Sequence, residues 1–98
     1  MINIDENLTV TSPVGFKASG IHCGLKKSLL KKDLALIYSD VVATSCGVFT
    51  KNKVKGAPLT VTKQHLINEK AQAIIINSGN ANTCNGDDGL SKAKKMTE

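Results

Sequence analysis

The chain has no tryptophan, no arginine, one tyrosine and two phenylalanines. With an aromatic share of 3%, any core must be built from Val, Ile, Leu and Ala. A chain of 98 residues holds at most one small domain. A domain of that size buries a modest fraction of its surface and needs help from a partner chain, an oligomer or further polypeptide. All 13 cationic side chains are Lys. Without Arg, the usual bidentate reader of phosphate and guanine is missing, and without aromatics so are the stacking platforms of single-strand binders. The pairs Lys26-Lys27, Lys31-Lys32 and Lys94-Lys95 lie far apart, so the +5 charge reads mainly as a solubilising surface. Weak nucleic-acid contact is the lesser alternative, and the expectation is no nucleic-acid partner. No apolar run approaches the roughly 20 residues of a membrane helix. The opening Met1-Ile2-Asn3-Ile4-Asp5-Glu6 lacks the basic and apolar regions of a signal peptide. A cytoplasmic protein with no membrane partner is expected.

Disulfide and metal frameworks are also missing. Cys23, Cys46 and Cys84 are odd in number, widely spaced and without a C-x-x-C pair. His22 and Cys23 offer two ligands, but no second cluster completes a zinc set. Free, mostly buried thiols are the expected reading, with no metal site. Cys46 and Cys84 have no His near them in sequence to make either a nucleophile. His22 is expected to be exposed or a satisfied strand residue, and His65 to lie on a solvated face.

What is present is a hydrophobic fraction of 41%, too high for a disordered tail, and a readable order of elements. Thr9 to Thr11 read as extended, and Ser12 to Gly15 as a turn. Phe16 to Leu25 alternates, with Gly20 and Gly24 inside it. Asp33 to Asp40 reads as a buried strand bounded by acidic residues, and Ala43 to Thr50 as a second strand. Lys51, Lys53 and Lys55 suit a solvated strand or hairpin edge, or an acidic substrate. Leu59 to Thr62 alternates as a half-buried strand, with Thr62 capping a short helix over Lys63 to Asn68. Ile74-Ile75-Ile76 within Ala71 to Asn77 predicts a strand buried on both faces. Asp87-Asp88-Gly89 then opens a helix with Leu90, Ala93 and Met96 on its apolar side and lysines in its later turns. No C-cap signal precedes Glu98, so the chain reads as an N-terminal fragment or as one chain of a larger assembly. The pattern predicts an α/β or α+β fold, with residues 1–98 forming part of one domain.

The most informative segment lies between the last strand and this helix. Asn77-Ser78-Gly79-Asn80-Ala81-Asn82-Thr83-Cys84-Asn85-Gly86 holds four Asn and two Gly in ten positions. Asn and Gly tolerate left-handed backbone, so successive N–H groups can converge on an anion, assisted by the helix N-terminus. The competing reading is a turn that satisfies its own backbone with Asn side chains, and physics alone favours it. The segment is neither a Walker A loop nor a G-x-G-x-x-G fingerprint.

Several strings occur in one order and at family-like spacing. They are Gly15-Phe16-Lys17-Ala18, Gly20, Gly24-Leu25-Lys26, Lys32-Asp33-Leu34-Ala35-Leu36-Ile37 and Gly47-Val48-Phe49-Thr50, followed by Asn52-Lys53-Val54-Lys55, Ala57-Pro58 and Asn77-Ser78-Gly79-Asn80-Ala81-Asn82. Together they resemble the opening of the bifunctional ornithine acetyltransferase / glutamate N-acetyltransferase (ArgJ) family of arginine biosynthesis. The resemblance runs from about Val10 to the end of the chain.

It implies a DmpA/ArgJ-like sandwich of sheets and helices, incomplete here. It also implies acetyl transfer from N-acetylornithine to glutamate through a threonine acetyl-enzyme, with acetyl-CoA a further donor in some members and no bound cofactor. The precursor cleaves itself into α and β chains, with an α2β2 assembly implied. A threonine freed at a chain start suits this chemistry, because its own amine can serve as base for its hydroxyl. The nucleophilic threonine and the oxyanion-hole Thr-Gly lie beyond this sequence, and Thr97 lacks the cleavage context. No catalytic residue is therefore assigned, and the segment alone is expected to be inactive. Asn77, Ser78, Gly79, Asn80 and Asn82 are the expected loop that shapes or supports the active site. The alternative is a small α/β module that binds an anion through the same loop.

Overall fold

A computed structural model describes residues 2–98; Met1, the first residue of the expected domain, lies outside them. The elements run β1 (Phe16–Ile21), β2 (Leu34–Thr44), α1 (Ala57–His65), β3 (Lys70–Asn77) and α2 (Gly86–Met96). The expected mixed class of strands and helices stands.

The three strands form one antiparallel sheet with β2 in the centre. Ile37 faces Ala18 on one side and Ile74 on the other, while Leu36 lies between Ser19 and Ile75. The pairing shifts between Tyr38 and Ala43. Within that irregularity Ser39 Oγ donates to the Val41 carbonyl at 2.7 Å. Gln72 stands opposite it on β3 and holds its first end, donating to Tyr38 Oη at 2.9 Å and to the Ser39 carbonyl at 3.1 Å. A bulge of this kind inserts residues without ending a strand. It joins the expected strand 33–40 to the start of the expected strand 43–50, and the single element ends at Thr44.

Residues 45–50 are irregular instead. At Gly47 an added Cβ would lie 3.0 Å from the Phe49 ring and 3.1 Å from Leu66, so the chain folds back there. Lys51, Lys53 and Lys55 follow in an exposed connection, not on a strand edge. The alternating stretch from Phe16 to Leu25 is a strand only as far as Ile21. The stretch around Val10 forms turns, with Ser12 N donating to the Thr9 carbonyl at 3.0 Å.

Residues 59–62 are helical, not extended. Four alternating residues are too few to separate a strand from one face of a helix. The deciding features lie outside them. Pro58 sits in the first turn, where its missing N–H costs nothing. The N–H of Ala57, unpaired within the helix, donates to the Asn82 carbonyl at 3.0 Å. Thr62 is therefore interior and caps nothing. Lys63 and His65 occupy the last turn, where the helix dipole favours cations.

Helix α2 carries Asp87 and Asp88 in its first turn and Lys94 and Lys95 in its last. Asp88 pairs with Lys92 at 2.7 Å. The helix completes its turns at Met96, with Thr97 as C-cap and its hydroxyl donating to the Lys94 carbonyl at 2.7 Å.

The helices pack on each other and the strands on each other, and neither helix packs extensively on a strand. Among the described residues Val61 and Ala93 are the buried hydrophobic side chains. Burying Val61 contributes about 2 kcal/mol. The gap between β3 and the helices is an apolar cavity of about 600 Å³, bordered by Phe49, Val61, Leu66, Ile75, Ala93 and Met96. β3 is an edge strand, and Ile74 and Ile76 remain 57% and 43% exposed. The expectation of burial on both faces is not met, because among the described residues nothing covers the face that carries Ile74 and Ile76 or fills the cavity beside Ile75. No helix among the described residues is long and apolar enough to cross a membrane.

Candidate functional site

The Asn-rich loop leaves the end of β3 and enters α2, and its side chains are largely occupied by its own backbone. Asn77 Oδ1 accepts the Asn80 N–H at 3.3 Å, and Asn80 Oδ1 accepts the Asn82 N–H at 3.2 Å. Asn82 Oδ1 accepts from Asn85 Nδ2 at 2.7 Å. Asn82 Nδ2 donates to the Gly89 carbonyl, one turn into α2, at 2.8 Å. Asn82, Cys84 and Gly86 alternate as left-handed residues, with φ of 51°, 62° and 58°. Asn and Gly adopt that region at low cost, which explains the composition of the loop.

Asn82 joins the two helices to the loop. Its carbonyl caps α1 through Ala57, its side chain ties down α2, and its own N–H is held by Asn80. The approach is close on both sides and favours glycine, most at Gly89. A Cβ at Gly89 would lie 2.8 Å from Asn82 Oδ1, and one at Gly56 would lie 3.2 Å from Thr83 Oγ1. A small cavity of about 260 Å³ lies beside this junction, bordered by Lys55, Asn82, Cys84 and Asp87 among others.

The first half of the loop rests on a different support. Ser78 N donates to the Asp33 carbonyl at 2.8 Å, extending the β2–β3 ladder by one bond. Asp33 N donates to the Ile21 carbonyl at 2.9 Å, extending the β1–β2 ladder at the same end. The Asp33 side chain is wholly buried. Its Oδ1 accepts Cys23 N–H at 2.7 Å and its Oδ2 accepts Lys26 N–H at 2.9 Å. These two backbone donors hold the carboxyl well below the usual carboxylate range. His22 Nδ1 lies 3.3 Å from Oδ2 and 3.0 Å from the Lys31 carbonyl. Both neighbours are acceptors, so Nδ1 carries the proton.

The sequence reading places Asp33 at a strand boundary and within one family-like string, and gives it no role of its own. A lone acidic residue ahead of an apolar strand, ten positions after a Gly-flanked turn, was the available signal.

Asn77, Asn80 and Asn82 are therefore linked in series by side-chain bonds to backbone N–H groups, while Ser78 is held by the Asp33 carbonyl and Gly79 lies between them. His22 is half-buried and satisfied beside Asp33. His65 is exposed on α1, away from that pair. The thiols correct the expectation of burial: Cys23, Cys46 and Cys84 are all free and exposed. Each lies in an irregular segment with little covering it, whereas the expectation rested on the usual preference of thiols for interiors. The Cys23 thiol is pushed up in pKa by its hydrogen bond to the Asp33 carboxylate, which keeps it protonated and poorly nucleophilic. Among the described residues no three His, Cys, Asp or Glu side chains gather into a metal-binding group.

The sheet and paired helices, joined through this turn, define a portion of the mixed sandwich of the DmpA/ArgJ-like class. Residues 17–98 match the ArgJ family model. The chain belongs to the ArgJ family. It is 52% identical over 86 residues to the arginine biosynthesis bifunctional protein ArgJ of Caldanaerobacter subterraneus subsp. tengcongensis, covering 88% of this chain and 21% of that protein. Over 99% of its length it is 44% identical to a Clostridium acetobutylicum relative, ArgJ 1, of which it covers 24%.

Two solved structures superpose closely. The ArgJ protein of Bacillus halodurans gives a TM-score of 0.84 at 49% identity, over 89% of this chain and 45% of that one. The ornithine acetyltransferase of Mycobacterium tuberculosis, solved with ornithine, gives 0.85 at 41% identity, over 91% of this chain and 46% of that one. The chain thus spans about a fifth to a quarter of the length of the curated relatives named here.

Proposed function

We propose that this chain is the N-terminal α-chain portion of an arginine-biosynthesis acetyltransferase. The whole enzyme moves acetyl from N-acetylornithine to glutamate, with acetyl-CoA as a second donor in a bifunctional form. Transfer runs through an acetyl-enzyme on a threonine that self-cleavage exposes at the start of a β chain. Its terminal amine takes the proton of its own hydroxyl as that oxygen attacks the acetyl carbonyl, and returns it to the ornithine nitrogen as the amide C–N bond breaks; the glutamate amine then attacks the acetyl ester, its proton passing to the departing threonine oxygen. Donors aimed at the resulting oxyanion lower the barrier. None of these groups belongs to residues 1–98, so the segment alone is inactive. The Asn77–Asn82 turn supports the site by fixing how the end of β3 passes into α2. The assembled form is α2β2, and the enzyme works in the cytoplasm.

The observation that carries this reading is the superposition on less than half of each solved chain at 41–49% identity. The uncovered edge of β3 and the apolar cavity beside it agree with a segment whose packing partners are supplied by more polypeptide. Simple anion binding by the loop is less well supported. Its Asn side chains are engaged internally, and Asp87 and Asp88 occupy the helix turn that an anion would approach. The test is acetyl transfer by the intact protein that contains this segment, beside the segment alone. Transfer by the former and none by the latter is expected. Absence of transfer from a folded, intact protein would refute the reading.

A further inference from the structure

One buried carboxylate connects the first half of the Asn-rich loop to a turn more than fifty residues earlier in the chain. The Asp33 oxygens take the N–H groups of Cys23 and Lys26, the two ends of a turn that contains Gly24 at φ 97°. Gly79 lies directly against that turn. A Cβ at Gly79 would be 3.0 Å from Leu25 Cβ and 3.5 Å from both the Leu25 carbonyl carbon and Lys26 Cγ. The Asp33 carbonyl also holds Ser78, the residue before Gly79. The Cys23–Lys26 turn thus forms a seat beneath Gly79, and Asp33 grips both the seat and the chain resting on it.

We propose that Asp33 is the positioning residue of the Asn77–Asn82 loop, acting through the Cys23–Lys26 turn on which Gly79 rests. The proposal deepens the reading of this loop as a support of the active site and rests on it for its catalytic consequence. The carboxylate is suited to the task because it accepts only. Both of its oxygens face backbone N–H groups, and burial keeps water from competing for them. An amide at this position presents an NH2 to one of those donors, so one contact becomes donor against donor. The turn then loosens, and with it the surface against which Gly79 packs.

The test follows hydrogen exchange and kinetics in the intact protein carrying Asp33→Asn. The amides of Cys23 and Lys26 should exchange about tenfold faster, and those of Ser78, Asn80 and Asn82 by a similar factor. Protection at Leu36 and Ile75, in the middle of the sheet, should stay as it was. Lost protection at Cys23 and Lys26 with unchanged protection at Ser78, Asn80 and Asn82 overturns the proposal. If Asp33→Asn does not fold, Gly79→Ala probes the same contact from the other side. It should speed exchange at Cys23 and Lys26, and an unchanged turn overturns the proposal equally.

Acetyl transfer separates the two layers of the argument. A misplaced support lowers kcat by about tenfold with little change in KM, because fewer molecules hold the productive geometry. Faster loop exchange with unchanged kcat upholds Asp33 as the positioning residue and refutes the loop as a support of the active site.

Discussion

Asn82 donates its side-chain amide to the Gly89 carbonyl at 2.8 Å, and a Cβ at Gly89 would stand 2.8 Å from Asn82 Oδ1. The hydrogen bond and the missing side chain are two aspects of one fit between the loop and α2. In an exposed helix Gly→Ala stabilises by about 1 kcal/mol. Here the added methyl must displace Asn82. Gly89→Ala is expected to destabilise the protein by about 1–3 kcal/mol, read from denaturant unfolding. A stabilising effect would show that the loop yields freely.

Asn82 itself sits at φ 51°. Asn82→Ala loses the bonds to Gly89 and Asn85 and also strains a β-carbon in the left-handed region. Asn82→Gly loses the bonds alone. Glycine should therefore be the milder replacement, by about 1 kcal/mol. Paired thermal melts of the two variants decide it, and equal melting points would remove the backbone argument.

The acid limb of stability should report on Asp33. Its pKa is lowered in the folded chain by the Cys23 and Lys26 N–H groups. Its contribution is therefore fully present above the unfolded carboxylate value near 4, and it is lost as pH falls through that value and below. His22 is the titratable ring facing it. Asp33→Asn should flatten the fall in melting temperature on acidification while lowering stability at neutral pH. A wild-type acid limb retained in the variant would assign the effect to other carboxylates.

How far the fold was legible depends on where the deciding interaction lay. The central strand, the Ile-rich strand and the last helix follow from local patterns, and the structure has all three. Residues 59–62 misled because their alternation fits a strand, while the bond that caps the helix comes from Asn82, more than twenty residues away. The bulge at Ser39 to Val42 hid the continuity of β2 for a similar reason: Gln72 of the neighbouring strand stands opposite it and holds the Ser39 carbonyl. The Asn-rich turn was visible from composition, but its support was not. Nothing local marks Asp33 as buried, since its partners are backbone N–H groups seven and ten positions earlier. Thiol burial was misjudged because preference scales assume a complete core, and this chain leaves Leu29, Leu30 and Val48 more than 80% exposed.

That exposure carries its own prediction. The free edge of β3 presents unpaired backbone groups flanked by Ile74 and Ile76. The isolated segment should self-associate, with a sedimentation coefficient that rises with concentration. Val61→Ala should cost a further ~2 kcal/mol, since it empties part of the small interior between the helices. A concentration-independent monomer with a cooperative melt would contradict the view that the sheet is incomplete.

The most direct test is to express the intact protein that contains this segment, sequence the N-termini of its purified chains, and assay it with N-acetylornithine and glutamate. The account predicts two chains, the second beginning with threonine, together with N-acetylglutamate formed at the expense of N-acetylornithine. A single uncleaved, folded chain that transfers no acetyl group would contradict it.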